Sequence, residues 1–258
     1  MGWSRQDRTN GTGAPWVPPP PALGLGGDEV HLWRADLGLA LPRLDALESI
    51  VSDDERARAD RFHAPQDSER FLAGRAILRI ILGRYAGESP ESLRFRYGVY
   101  GKPALFREEA ASPLRFNVSH SGPMAVYAVA LQHEIGVDVE HIQEDVARQQ
   151  VAEYFFARRE AATLRSLPRA LQTRAFYACW TRKEAYVKAR GAGLVLPLDQ
   201  FEVSVDPDEP AALLRVAEDP RAPRRWSLHD LPLGPEYVGA LAAESRRASL
   251  RYWMFRYM

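Results

Sequence analysis

The sequence predicts an α+β protein made of two similar α/β halves, and three observations carry that reading. The 258 residues are 46% hydrophobic with a single cysteine, enough apolar material for a core that needs no disulfide framework. Strand-like and helix-like stretches follow one another in the same order twice. Two long helical stretches, each preceded by a charged helix and stopped by glycine, come into register when Phe71 is set against Phe176.

Residues 1–27, "MGWSRQDRTNGTGAPWVPPPPALGLGG", are rich in Pro and Gly and lack the basic start and apolar run of a signal peptide, so a disordered leader is expected. "DEVHLWRADL" alternates as a strand does, and the charged stretch after it starts a helix at the N-cap candidate Ser52. "DSERFLAGRAILRIILGRYAG" places Phe71, Ile77, Leu78, Ile81 and Leu82 on one helical face, with Gly87 as its stop. "LRFRYGV", "LRFNVSH" and "MAVYAVAL" read as strands separated by the turns "YGKP" and "SGP".

The second series begins with the strand "IGVDVEHI". "VAEYFFARREAATLRSL" and "TRAFYACWTRKEAYVKARG" read as one helix each, and "FEVSV", "ALLRVA", "RWSLHDL", "YVGALAAE" and "LRYWMFRY" as strands. The halves are expected at 28–132 and 133–258. Ligand clefts concentrate at such joints, so the face between the halves is the expected site.

Charge narrows the function. Lys plus Arg equal Asp plus Glu at 34 each, so no global field draws the chain to nucleic acid or an anionic membrane. No apolar run approaches the roughly 20 residues that span a bilayer. Cys179 stands alone in an apolar stretch and reads as a small core residue of a reducing compartment, which places the protein in the cytoplasm.

Three stretches carry possible chemistry. In "IGVDVE" the strand period sends Asp138 and Glu140 to one face, about 6.5 to 7 Å apart along the chain, where both can lean onto one cation. A solvent-facing strand edge would show the same alternation. Phe176, Trp180, Glu184 and Lys188 recur every four residues and form one stripe of a helix. An exposed Glu-to-Lys pair is the plain reading, but the stripe begins with aromatics and uses lysine in a chain with only three, Lys102, Lys183 and Lys188. A compact ammonium approaches a single phosphate oxygen in a way arginine's broad fork does not. "FNVSHSG" sets Asn117, Ser119, His120 and Gly122 at a strand end and tight turn, a setting suited to a phosphate contact.

The ordered series "GKP", "FNVSHSG", "GVDVE" and "WTRKEAYVKARGAGL", over residues 53 to 206, resembles the surfactin-synthetase-type (Sfp-type) 4'-phosphopantetheinyl transferases. The resemblance implies two α+β halves related by a pseudo-twofold axis in a monomer, with coenzyme A in the cleft between them. It implies transfer of phosphopantetheine from coenzyme A to a serine of an acyl or peptidyl carrier protein, releasing adenosine 3',5'-bisphosphate. Carried over by motif, Asp138, Glu140 and Glu184 would hold Mg²⁺. Asp138, Glu184 and Lys188 would act in catalysis, with Glu184 as the base for the carrier serine. Lys102, Pro103, Ser119, His120 and Lys188 would contact coenzyme A, together with the upstream cations Arg58, Arg70 and Arg75. Two alternatives stand beside this reading: a metal-dependent nuclease or phosphodiesterase, and a non-catalytic adaptor.

Overall fold

The computed structural model describes residues 16–108, 112–144 and 148–257. Along the chain, β1 (Glu29–Asp36) leads to the short helices α1 (Leu37–Ala40), α2 (Leu44–Glu48) and α3 (Asp53–Ala59), then to the long helix α4 (Pro65–Ala86). The strands β2 (Phe95–Tyr97), β3 (Pro103–Leu105), β4 (Leu114–Ser121) and β5 (Met124–Leu131) complete the first series. The second runs β6 (Ile135–His141), α5 (Arg148–Phe155), α6 (Arg158–Ser166), α7 (Arg169–Arg190), β7 (Phe201–Val203), β8 (Leu213–Val216), β9 (Ser227–Asp230) and β10 (Tyr237–Ala243), and then β11 (Ser249–Met254).

The repeat is written in the sheets. In the first series the antiparallel order is β1-β5-β4, and in the second it is β6-β10-β9: first strand, last strand, penultimate strand in both. Each series also carries a two-stranded hairpin, β2-β3 and β7-β8. The helix ends set the internal register at 104 positions, from Pro65 to Arg169, Ala86 to Arg190 and Gly87 to Gly191. The Phe71 to Phe176 pairing is therefore one residue out. Both caps are left-handed, Gly87 at φ 69° and Gly191 at φ 60°, a conformation glycine enters without a Cβ clash.

A buried ion pair anchors the long helix of each series in the same way. In the first, Glu55 at the third position of α3 accepts from Arg75 Nε and Arg79 Nε at 2.6 Å each, and Arg79 also reaches the carbonyls of Pro90 and Leu93. In the second, Glu160 at the third position of α6 pairs with Lys183 at 2.7 Å, and that ammonium reaches the carbonyls of Leu198 and Phe201. Ser52 caps α3 as expected, in a reciprocal box with Glu55. The stretch expected as one helix from Val151 to Leu167 breaks into α5 and α6. Ala157 is extended there (φ −60°, ψ 148°), and its N–H is taken by Glu160 at 2.8 Å.

Three apolar clusters form the core. One lies under α4, one under α7, and the third joins the halves, bringing Val126, Ala128 and Ala130 of β5 against Ile135, Val137 and Val139 of β6. Two expectations about the ends are corrected. β11 pairs in parallel with β1, so residues 249–254 complete the sheet of the first half although they follow the second in sequence. The leader is ordered from residue 16: Trp16 is buried, its indole N–H donates to Pro232 O at 2.6 Å, and Val17 bridges to Trp253. Leu23 and Leu25 pack on the first core cluster. Apolar residues among the prolines, invisible to a compositional reading, hold this segment down. Residues 1–15 lie outside the described residues.

β6 lies directly against α7. A Cβ on Gly136 would stand 2.2 Å from Ala185 O and 2.3 Å from Ala189 N, so only glycine permits this approach. Gly136→Ala is expected to lower stability by about 3 kcal/mol, at the upper end of overpacking effects. Chemical denaturation of both proteins checks it.

Candidate active site

The contact at Gly136 sets β6 and α7 running in opposite directions, and this builds the site. Gly136, Asp138 and Glu140 share one face of β6. Gly136 meets Ala185 and Ala189, Asp138 meets Lys188, and Glu140 meets Trp180. On α7 the residues from Ala175 to Ala189 are buried except Trp180, Glu184 and Lys188, which are half-buried and spaced by four. The stripe read from the sequence is thus the half-buried seam of the helix that faces the acids of β6.

Asp138 is 3% exposed and its two oxygens have different fates. Oδ1 accepts from Lys188 Nζ at 2.6 Å and from Ser119 Oγ at 2.8 Å. Oδ2 is buried with no hydrogen-bond partner. Glu140 accepts from Ser121 Oγ at 3.0 Å and has the Trp180 indole beside it. Burial raises the pKa of Glu140, and the negative charge of Asp138 raises it further. Glu184 is raised by burial first, then by repulsion from Asp138 and Glu140, with Lys188 opposing. Three acids therefore share this space with one ammonium as counter-charge.

The second half of the site comes from β4 and α4. His120 opens to solvent, yet the protein around the ring, and then the cations Lys188 and Arg70, hold its pKa below the usual imidazole value. Arg70 has its Nε buried without a hydrogen-bond partner. Guanidinium and ammonium make this edge of the site electropositive, and the imidazole adds a neutral hydrogen-bonding group beside them.

Residues 41–132 match a family described as "4'-phosphopantetheinyl transferase, N-terminal", and residues 134–242 match the "4'-phosphopantetheinyl transferase superfamily". The 4'-phosphopantetheinyl transferase HetI of Nostoc sp. is 41% identical over 240 residues, 93% of this chain and 98% of HetI. The chain belongs to the 4'-phosphopantetheinyl transferase family. Two other transferases extend the likeness. Sfp of Bacillus subtilis is 32% identical over 62% of this chain and 69% of its own length, and psf-1 of Bacillus pumilus 31% identical over 85% and 90%. The nuclease and adaptor readings are set aside.

In this transferase the expected site residues divide. Asp138, Glu140, Glu184, Lys188, Ser119, His120 and Arg70 lie together. Arg75 is committed to Glu55 in the core of the first half. Arg58 is exposed and lies over the Phe71 ring at 5.3 Å. Lys102 binds Glu134 Oε2 at 2.8 Å, Ile135 O at 3.2 Å and Ala189 O at 2.8 Å, so its ammonium ties the joint between the halves to the end of α7. Pro103 opens β3 opposite Tyr97. Of the three lysines only Lys188 faces the acids, because Lys183 is fully buried on Glu160.

Beside the acids also stand Ser121, which the motif reading did not single out, and Trp180, the aromatic of the helix stripe. The signal for Ser121 was present: Asn117, Ser119 and Ser121 are polar at every second position of a strand. Among the described residues no three His, Cys, Asp or Glu side chains are gathered tightly enough to ligate one ion as they stand. The chemistry of the donors nonetheless fits a hard cation: all-oxygen ligands, mutual repulsion, and a buried carboxylate oxygen with no donor.

Proposed function

We propose that this transferase moves 4'-phosphopantetheine from coenzyme A to the acceptor serine of an acyl or peptidyl carrier protein, with Mg²⁺, and releases adenosine 3',5'-bisphosphate. The observation that supports it best is the shared space of Asp138, Glu140 and Glu184 beside Lys188, acids for a divalent ion next to an ammonium for a pyrophosphate. The serine oxygen forms a bond to the phosphorus that carries pantetheine, and the bond from that phosphorus to the bridging oxygen of the nucleotide breaks. Such a reaction asks the protein mainly for alignment and for neutralising charge.

Asp138, Glu140 and Glu184 would hold the Mg²⁺, which when bound supplies several kcal/mol of charge neutralisation on the pyrophosphate. Glu184 takes the serine proton. A carboxyl raised above its ordinary pKa by burial and neighbouring acids is better matched to that task than a solvated one. Lys188 binds the pyrophosphate and stabilises the charge left on the departing bisphosphate. His120 and Arg70 contact the nucleotide phosphates, the 3'-phosphate in particular for His120. The protein works as a monomer, since both sides of the proposed site belong to one chain, and in the cytoplasm, a reducing compartment that suits a free cysteine.

Incubation with Mg²⁺, coenzyme A and several apo carrier proteins is expected to add one phosphopantetheine to a carrier, read by intact mass. No gain on any carrier would overturn the assignment.

A further inference from the structure

β4 and β6 belong to different sheets, and their side chains and backbone do what a ladder would otherwise do. Asn117 Oδ1 accepts from Val137 N at 2.8 Å, Ser119 Oγ from Val139 N at 3.3 Å, and Ser121 Oγ from His141 N at 3.0 Å. The period of two on β4 matches the period of two on β6, so every second residue of one strand holds every second amide of the other.

The two serines have a further duty that Asn117 lacks. A hydroxyl carries one proton and two lone pairs. With a lone pair occupied by a β6 amide, its proton is free to point along the strand face. Ser119 aims it at Asp138 Oδ1 at 2.8 Å and Ser121 aims it at Glu140 Oε2 at 3.0 Å. Each acid of β6 is thus held by a hydroxyl that is itself held by the amide next in line. Ser119 shares its oxygen with Lys188 at 3.0 Å, whereas Ser121 has no such second charge.

From this geometry we infer that Ser121 is a positioning residue of the transferase: anchored by the His141 amide, it fixes the orientation in which the Glu140 carboxylate is presented to the cation. Groups that orient metal ligands in this way commonly change metal affinity by 10–100-fold when removed. Ser121 touches neither coenzyme A nor the acceptor in this account. The inference rests on the proposed Mg²⁺ site, and the experiment separates the two.

The test is the dissociation constant of coenzyme A, measured by calorimetry with Mg²⁺ and again with a chelator, for wild type, Ser121→Ala and Ser121→Thr. The gain in affinity due to Mg²⁺ is expected to fall about tenfold in Ser121→Ala. The constant in chelator should be unchanged, and Ser121→Thr, which keeps a hydroxyl, should retain most of the gain. An unaltered gain in Ser121→Ala would overturn the inference, as would equal weakening with and without Mg²⁺, the mark of a merely structural role. Loss of the gain in both variants would also overturn it, because the hydroxyl would then not be the cause. If wild type itself shows no gain from Mg²⁺, the metal site fails first and the inference falls with it. If wild type shows the gain and modifies a carrier while Ser121→Ala matches it, the inference alone fails.

Discussion

Glu184→Gln lowers transfer to a carrier serine by about 10³-fold, within the usual range for removing a general base, while coenzyme A affinity measured in chelator changes little. The initial rate of holo-carrier formation, set against calorimetric binding, reads both quantities. The same substitution is expected to stabilise the protein when divalent cations are chelated. Burial and the charges of Asp138 and Glu140 raise the folded-state pKa of Glu184 above its ordinary value of 4.5. A carboxyl so raised weakens the fold at pH values above its folded pKa, and that penalty fades as pH falls to the unfolded value. Glu184→Gln should therefore melt a few degrees above wild type at pH 8, with the difference gone near pH 4.5. Wild-type activity in this variant would remove Glu184 from the mechanism, and equal melting at pH 8 would remove the repulsion argument.

Glu55→Ala is expected to destabilise the protein by about 3–5 kcal/mol, because it leaves Arg75 and Arg79 buried without their shared carboxylate. Burial pushes the Glu55 carboxyl up, but Arg75, then the hydrogen bonds from Arg79 and Ser52, outweigh it and hold the net pKa below the ordinary value. Equilibrium unfolding in urea measures the loss. A change under about 1 kcal/mol would place this pair among ordinary surface ion pairs. In the second half, Glu160 has Lys183 as its single cation and its pKa stays above the ordinary value, since burial there outweighs the attraction.

The strand and helix order, the internal repeat and the acids of the cleft were legible because each rests on local spacing. Alternation in "IGVDVE" put Asp138 and Glu140 on one face, and a spacing of four placed Trp180, Glu184 and Lys188 on another, faces that the fold then sets together. What spacing does not contain is the partner. Lys102 and Arg75 carry the right charge for a phosphate, but a glutamate distant in sequence claims each of them, Glu134 and Glu55. Ser119 was read as a phosphate contact, yet its hydroxyl donates to Asp138. Trp16 and Leu23 sit among prolines, where composition speaks for disorder and only long-range packing speaks against it. Gly136 looked like one more small residue in a strand until the helix pressed against it.

The parallel pairing of β1 with β11 has a kinetic consequence. Glu29 finds its neighbour at Ser249, so the edge of the earliest sheet stays open on the ribosome until β11 has been made. The N-terminal half emerges early, but it waits for the final strand before its exposed backbone is covered, and contacts so distant in sequence close slowly. Chains released before that strand would present a bare β1 edge and are the form most prone to aggregate.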